Sequence, residues 1–283
     1  MSLLVHEAVT MASHAGTGCL HIDLVDGLSA ATSVEATSPL KLLVPRPRGE
    51  SVWAYLSSFG GGLVAGDETR LTLQLAARTR CFVSTQASTK VYRNPLGRPC
   101  GHHLKATLGE GSLLVLAPDP VQAFAGSSYA QRQEFHLQPG ASLALVDWFT
   151  SGRTARGERW AFTRFQSRND IFLGDERLLV DSLLLDAADG ALDGSHRMGR
   201  FNCFALVVLV GAAWCEIGPQ LLADIAAQPV ARRAALVCSA SSIRDGALLR
   251  IAGESVEDVG REIHRHLGVL RTLLGDDPFA RKW

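Results

Sequence analysis

The sequence has little that would mark a membrane-spanning, secreted or nucleic-acid-binding protein. Its 28 basic and 28 acidic residues leave no net charge, and no Lys/Arg-rich stripe is present that could neutralise a row of phosphates. The longest apolar run, Cys203–Cys215, is shorter than the ~20 residues that a membrane-spanning helix needs. The first residues lack a basic stretch followed by an apolar segment, so no signal peptide is predicted.

Metal-binding and catalytic signatures are also scarce. The six cysteines include no Cys-x-x-Cys pair, which argues against a zinc knuckle or a redox dithiol and favours a reduced, cytoplasmic compartment. His102 and His103 face opposite ways on a strand, and His264 and His266 lie on different faces of a predicted helix. The histidines therefore predict no closed nickel site. Gly-x-Ser-x-Gly and His-Glu-x-x-His are absent, so no nucleophile–base pair is indicated.

What the first two thirds of the chain does contain is a period-two alternation typical of half-buried strands. Within it lies a weak repeat of strand, small polar corner and strand, which recurs after 33 and then 29 residues. Its copies are Leu75–Val83, Leu108–Leu116 and Leu137–Leu145, with a looser fourth at Ile171–Leu179. A repeat of about thirty residues predicts stacked β-coils, each burying its face against its neighbours. A row of hairpins in a sandwich is the alternative.

The last third changes character. Phe204–Val210 and the pair Ala235–Ser239 and Ala247–Ile251 are predicted strands, and Ile217–Ala227 and Ser255–Gly275 are predicted helices. The apolar stripe of the last helix is expected to pack on the sheet, with partner binding as the alternative. Residues 187–199 are polar and predict a loop. No linker is evident, so residues 1–283 are predicted to form one domain, mainly β, with a β-helix-like stack of strands and a few helices chiefly near the C-terminus.

Three polar segments have unusual patterns. Gly60–Asp67 is rich in glycine, but no Gly-Lys-Ser/Thr follows, so it is not a nucleotide-binding P-loop. Ser84–Arg93 places hydroxyls, an amide and two cations within a β-rich region, which suits either an exposed strand or a wet internal surface. Asp147–Arg153 with Gly157–Trp160 sets two carboxylates and two arginines among aromatics. Such charges are rarely buried unless paired, so either buried ion pairs or a polar site is indicated.

In this order along the chain, these segments resemble the signature of the UreD (UreH) family of urease accessory proteins. The resemblance covers about residues 40–185 closely and the remainder less so. The Thr85–Arg93 run looks nearer to the plant and fungal branch than to common bacterial members. The matching segments are Gly61–Asp67, Thr85–Arg93, Pro118–Val121, Ser151–Arg153 and Gly157–Glu158.

The resemblance implies a β-rich, coil-like fold and a non-enzymatic scaffold. By similarity, the chain would bind UreF, reach the GTPase UreG through UreF, dock on apo-urease and support nickel insertion. It would hold no tightly bound cofactor, and nickel would only pass through, along a water-filled passage. Asp67 and Glu158 are the weak oxygen ligands favoured for that passage, while Lys90 and Arg93 are alternatively structural pair partners.

The motif residues carried over by this resemblance fall into two groups. Those with polar side chains are Asp67, Glu68, Thr85, Gln86, Lys90, Tyr92, Arg93, Asp147, Arg153 and Glu158. The structural glycines are Gly61, Gly62 and Gly66.

Two other functions compete with this interpretation. A carbohydrate-active enzyme on a β-solenoid could use Asp147 and Glu158 as paired carboxylates, although 7% aromatic residues are few for a sugar groove. A purely structural interaction module would bind the same partners without any role in metal transfer.

Overall fold

The computed structural model describes residues 15–46 and 49–280 of the chain. The start of the chain, where no signal peptide is predicted, lies outside the described residues. The prediction of one domain over 1–283 stays a prediction.

Two β-sheets contain about half of the described residues. The first sheet contains β1 (Gly16–Val25), β2 (Leu28–Ala36), β5 (Glu68–Leu75), β8 (Cys100–Leu108), β11 (Ser128–Leu137), β13 (Arg164–Leu173) and β14 (Glu176–Asp186). The second contains β3 (Leu40–Leu43), β4 (Val52–Ser58), β6 (Arg80–Thr85), β7 (Lys90–Val91), β9 (Leu113–Leu116), β10 (Val121–Ala123), β12 (Ser142–Thr150), β15 (Cys203–Gly211), β16 (Leu236–Ile243) and β17 (Gly246–Gly253). The helices are α1 (Ile217–Ala226), α2 (Val256–His266) and α3 (Leu270–Leu274).

The stacked coils predicted from the repeat are present. The chain passes from the first sheet to the second three times in the same sense, through β5–β6, β8–β9 and β11–β12, and like strands pair in parallel. Leu75 lies beside Leu108, which lies beside Leu137. In the second sheet, Leu114 lies beside Leu143. The repeat alignment made from the sequence is therefore the structural register, residue for residue.

The fourth copy, proposed at Ile171–Leu179, is wrong in both register and direction. Leu173, rather than Ile171, lies beside Leu137. A turn at Gly174, with φ of +57°, then returns the chain as β14, antiparallel to β13 in the first sheet. The position next to β12 in the second sheet is occupied by the antiparallel strand β15, which ends the coil stack.

The coils bury one apolar core between the sheets and a second outside the second sheet. Leu73, Leu108 and Phe135 belong to the first. Val259 and Ile263 of α2 pack in the second, so the predicted packing of the helical stripe on the sheet is confirmed. The helix predicted over 255–275 is split into α2 and α3 around Gly268, a residue that weakens helices.

The other predicted elements of the last third are present. The strands predicted there match β15, β16 and β17, and the shorter helix matches α1. In the described part of the chain, no helix is both long and apolar enough to span a bilayer. The six cysteines all lie in that part, and each is a free thiol.

Candidate functional site

The space between the sheets changes from apolar to polar along the strands. Toward their C-terminal ends, the inward-facing positions of the first sheet hold apolar residues, mostly leucines. Toward the other ends, four neighbouring strands hold inward-facing polar residues in one register, which we call the polar rung. The polar rung is Thr69, His102, Gln131 and Ser167. Because side chains alternate between faces with period two, a polar residue at each of these positions is directed inward.

Asp147 meets the polar rung from the second sheet. It continues the inward-facing series Leu143 and Leu145 on β12, and only 8% of its surface is exposed. Its carboxyl group accepts hydrogen bonds from Gln131 Nε2 at 3.0 Å and Ser167 Oγ at 2.5 Å. A third comes from the side-chain amide of Asn169, at 2.8 Å.

Burial nevertheless raises the pKa of the Asp147 carboxyl above its ordinary value, against the opposite effect of these hydrogen bonds. A buried carboxylate without a neighbouring cation gains from any positive charge that reaches it.

Asp147 borders two cavities. One, of about 230 Å³, is lined by Thr69, His102 and Gln131 and by Thr85 on the facing wall. The other, of about 920 Å³, opens to the surface and is lined by Ser167, Asp181 and Arg250 among others. Asp147 therefore lies between the two.

Two further oxygen atoms near this carboxyl are short of hydrogen-bond donors. Gln133 Oε1 and Asn169 Oδ1 are buried, and neither has a partner among the described residues. Buried polar atoms are normally paired, so each such exception calls for a ligand or a water. Amide and carboxylate oxygens are ligands that cations accept.

The structure brings five of the thirteen predicted motif residues to this site. Thr85 Oγ1 accepts from the backbone N–H of Asp119 at 2.8 Å and donates to its carboxylate at 3.2 Å. Gln86 is exposed and accepts from Ser57 Oγ at 2.8 Å. The predicted site residues that line the 230 Å³ cavity are Gly61, Thr85, Gln86, Lys90 and Asp147.

Glu158 lies elsewhere, in a surface hollow with Tyr92 and Arg93. Its carboxylate forms a two-pronged ion pair with Arg153 and accepts from the backbone N–H of Ala125 at 3.2 Å. The Arg153 guanidinium also stacks over Phe124, 4.1 Å from the ring centroid. Arg153 lowers the pKa of Glu158, so its carboxylate is already held by a cation.

Asp67 and Glu68 are also engaged away from the cavities. Asp67 Oδ2 accepts from the backbone N–H of Val64 at 2.9 Å, which closes the glycine loop. Glu68 pairs with Arg70 at 2.7 Å. The passage role predicted for Asp67 and Glu158 stays a prediction, but neither residue lines the two cavities that Asp147 borders. In the described part of the chain, neither Lys90 nor Arg93 takes part in an ion pair, and their role as structural pair partners stays a prediction.

Steric contacts and backbone conformation explain why glycine occupies these positions of the motif. A Cβ at Gly62 would lie 2.6 Å from Lys90 O and 2.6 Å from a ring carbon of Tyr92, while Gly66 has φ of +87°. Gly61, at φ of +74°, is also in the left-handed region that favours glycine. The close approach at Gly62 permits the hydrogen bond from Leu63 N to Lys90 O, at 2.8 Å.

We expect Gly62→Ala to destabilise the protein by about 1–3 kcal/mol, because the new methyl group overlaps backbone that cannot move without breaking the Leu63–Lys90 bond. Gly101→Ala is the matched control, since its Cβ would meet nothing closer than 3.6 Å. The measurement is the free energy of unfolding in urea for both variants. Equal free energies for the two variants would contradict the steric explanation.

His102 makes stability depend on pH. Burial lowers the pKa of His102 from 6.5 to about 4, and Thr69 Oγ1 lies 2.7 Å from its Nδ1. Between these pH values the unfolded chain binds a proton here that the folded protein does not, so stability falls as the pH drops from 6.5 to 4 and levels off below. We expect a loss of about 2 kcal/mol, since partial exposure to the cavity weakens the effect.

The matched pair for this prediction is His102→Gln and His103→Gln, because His103 is exposed on the other face of the strand. Unfolding free energies measured between pH 4 and 7 should lose part of their pH dependence only in His102→Gln. The same flattening in His103→Gln would show that His102 is not the group responsible.

Sequence reasoning missed most of the polar rung. Gln131 and Ser167 are single polar residues in strands, and only knowledge of the register shows that they converge on Asp147.

Sequence reasoning also missed a second group, in which ligand atoms of Cys238, Glu262 and His266 lie within 4.8 Å of one another. The signal available was the i, i+4 spacing of Glu262 and His266, which places both on one helix face.

Comparisons with known proteins agree with the resemblance. The family model described as UreD urease accessory protein matches residues 14–283. The chain is 47% identical to the urease accessory protein UreD of Sorangium cellulosum, over 96% of this chain and 86% of that protein. It is 34% identical to urease accessory protein D of Oryza sativa subsp. indica, over 96% of this chain and 98% of that protein. It is 29% identical to urease accessory protein 4 of Cryptococcus neoformans, over 94% of each. The chain belongs to the UreD family of urease accessory proteins.

Proposed function

We propose that this chain is a non-enzymatic, cytoplasmic accessory protein that supports the insertion of nickel into apo-urease. In this proposal it binds UreF, reaches UreG through UreF, and holds this assembly against urease. Its relatives carry the name urease accessory protein in bacteria, plants and a fungus, which supports the role in urease maturation. Nickel is cargo in this scheme, and no tightly bound cofactor is required.

The observation that carries the nickel part of the proposal is the position of Asp147. Asp147 is buried and borders both cavities, and the amide oxygens of Gln133 and Asn169, buried and without a partner among the described residues, lie in the same polar region. Ni²⁺ is held firmly by imidazole and thiolate but weakly by isolated oxygen ligands. Spaced oxygens therefore suit an ion that must enter and then leave, and we place the transit at Asp147 rather than at Asp67 or Glu158.

Exposed apolar residues support the scaffold part. Leu24, Val25, Leu28 and Val34 are exposed on the β1–β2 hairpin, and exposed apolar groups of this kind commonly mark contact surfaces for other proteins. They are one candidate surface for the partners of the assembly.

The enzymatic alternative receives less support. Paired carboxylates of a glycosidase face one substrate-binding cleft about 5–10 Å apart. Asp147 lies in the buried interior, whereas Glu158 is bound to Arg153 in a surface hollow. These placements favour a protein that binds partners and passes nickel over an enzyme that cleaves sugars.

The test is a co-expression pull-down with this chain tagged and with UreF, UreG and apo-urease supplied from one source. We expect recovery of UreF, UreG and urease, and nickel-dependent urease activity that requires this chain. Recovery of the whole complex with nickel content unaffected by this chain would leave only the interaction module. Failure of folded chain to retain UreF would overturn the scaffold proposal.

A further inference from the structure

A cluster of three metal-ligating side chains lies away from the polar rung. Cys238 is on β16, an edge strand of the second sheet, and Glu262 and His266 are one turn apart on α2. The Cys238 thiol, a Glu262 carboxylate oxygen and a ring nitrogen of His266 all lie within 4.8 Å of one another. The His266 side chain is only 2% exposed and that of Glu262 is 14% exposed.

A cationic group already lies between two of the three ligand groups. Glu262 Oε1 accepts a hydrogen bond from Arg265 Nη2 at 2.5 Å and lies 2.9 Å from His266 Nε2. The same Arg265 Nη2 lies 3.2 Å from His266 Nε2. A metal ion bound to Nε2 and Oε1 would take the place of this guanidinium nitrogen.

Arg265 is placed to support such an ion. Its Nε donates to the other oxygen, Glu262 Oε2, at 3.0 Å. The Arg265 side chain is 47% exposed and can move outward while it keeps that bond. Hydrogen bonds of this type orient ligating carboxylates in metal sites.

We propose that Cys238, Glu262 and His266 form a site for a borderline divalent transition-metal ion of the Zn²⁺ and Co²⁺ class, with three protein ligands and one open position. Thiolate, carboxylate and imidazole are all ligands that this class accepts in tetrahedral sites. Tetrahedral bonds of about 2.0–2.3 Å separate ligand atoms by roughly 3.3–3.8 Å. His266 Nε2 and Glu262 Oε1, now 2.9 Å apart, would separate slightly, and the Cys238 sulfur, which lies within 4.8 Å of both, would approach them by up to about 1 Å.

The protonation states are compatible with this assignment. Burial and the neighbouring Arg265 lower the pKa of His266, which leaves a neutral imidazole at pH 7. Burial raises the pKa of the Cys238 thiol to about 11, so the thiol proton leaves to solvent as the sulfur–metal bond forms. The proposal does not depend on nickel transit past Asp147.

The test is a Co²⁺ titration of the purified full-length chain, freed of metal with a chelator, followed by absorption spectroscopy. We expect one equivalent of Co²⁺ to produce a thiolate-to-cobalt charge-transfer band and the visible bands of tetrahedral Co²⁺. One equivalent of Zn²⁺ should then displace both signals. Absence of saturable binding at micromolar protein would overturn the proposal without any variant.

Matched variants locate the site. Cys238→Ser should abolish the charge-transfer band, and His266→Gln should weaken Zn²⁺ binding at least about ten-fold. Cys215→Ser and His264→Gln are the controls, because Cys215 is exposed and His264 stacks on Phe279. Circular dichroism in chelator verifies that each variant is folded. A band that survives Cys238→Ser, or is lost in Cys215→Ser, would place the metal elsewhere. These measurements need no urease, so their failure is distinct from failure of the accessory function.

Discussion

Replacing Asp147 with alanine is expected to lower the nickel content of co-expressed urease at least about ten-fold, a factor equivalent to about 1.4 kcal/mol of lost ion binding. Among the described residues, Asp147 is the only carboxylic acid that borders both cavities. The three side chains that donate to it, Gln131, Ser167 and Asn169, would then present donors to an ion that needs acceptors. Nickel bound per urease active site is the quantity to measure, with urease activity alongside.

The controls for Asp147→Ala are the two carboxylates that the family resemblance favours. Asp67→Ala removes the carboxylate that closes the glycine loop, and Glu158→Gln removes the charge that pairs with Arg153. Both residues lie outside both cavities. In assemblies that retain UreF, we expect urease co-expressed with either variant to contain nearly as much nickel as urease co-expressed with the unmodified chain. If Asp147→Ala loads nickel normally while Asp67→Ala or Glu158→Gln does not, the path runs over the outer surface and the interior route is wrong.

Leu108→Ala is expected to cost about 2–5 kcal/mol of unfolding free energy, among the largest effects of a single core substitution. Leu108 is fully buried and lies between Leu75 and Leu137 in the three stacked coils. Its loss leaves a cavity bounded by neighbouring coils that are held in register by backbone hydrogen bonds, so the site cannot collapse easily. Denaturant unfolding of the purified chain measures the change.

The matched control is Leu96→Ala, because Leu96 is 63% exposed in the loop before β8. Surface substitutions of this kind change stability by about 0.5 kcal/mol or less. A cost for Leu108→Ala no greater than that for Leu96→Ala would mean that the coils do not stack as described.

The coil stack was accessible from the sequence because it is a local pattern repeated. Each copy carries its own alternation and its own polar corner, and in-register stacking follows when identical positions bury their leucines together. The alignment of Leu75, Leu108 and Leu137 was therefore predictable, and it is confirmed. The fourth copy failed because its two strands form a hairpin within one sheet, a choice that depends on β15 occupying the neighbouring position.

The candidate site was predictable only in part. Thr85, Gln86, Lys90 and Asp147 stand in family motifs, and the structure places all four on one cavity. The motifs could not indicate that Glu158 belongs to a different hollow or that Arg153 occupies its carboxylate. A sequence motif shows which residues occur together along the chain, but it does not show which of them line the same cavity.

Local pattern in this chain specifies the coil repeat, the register of the leucine ladder and the family to which the chain belongs. Contacts between distant segments specify the rest. The polar rung gathers residues from four strands, and the Cys238 cluster joins a strand to a helix. The physical reason is that alternation sets the direction of each side chain, whereas its partner across the interior depends on how the two sheets and α2 pack.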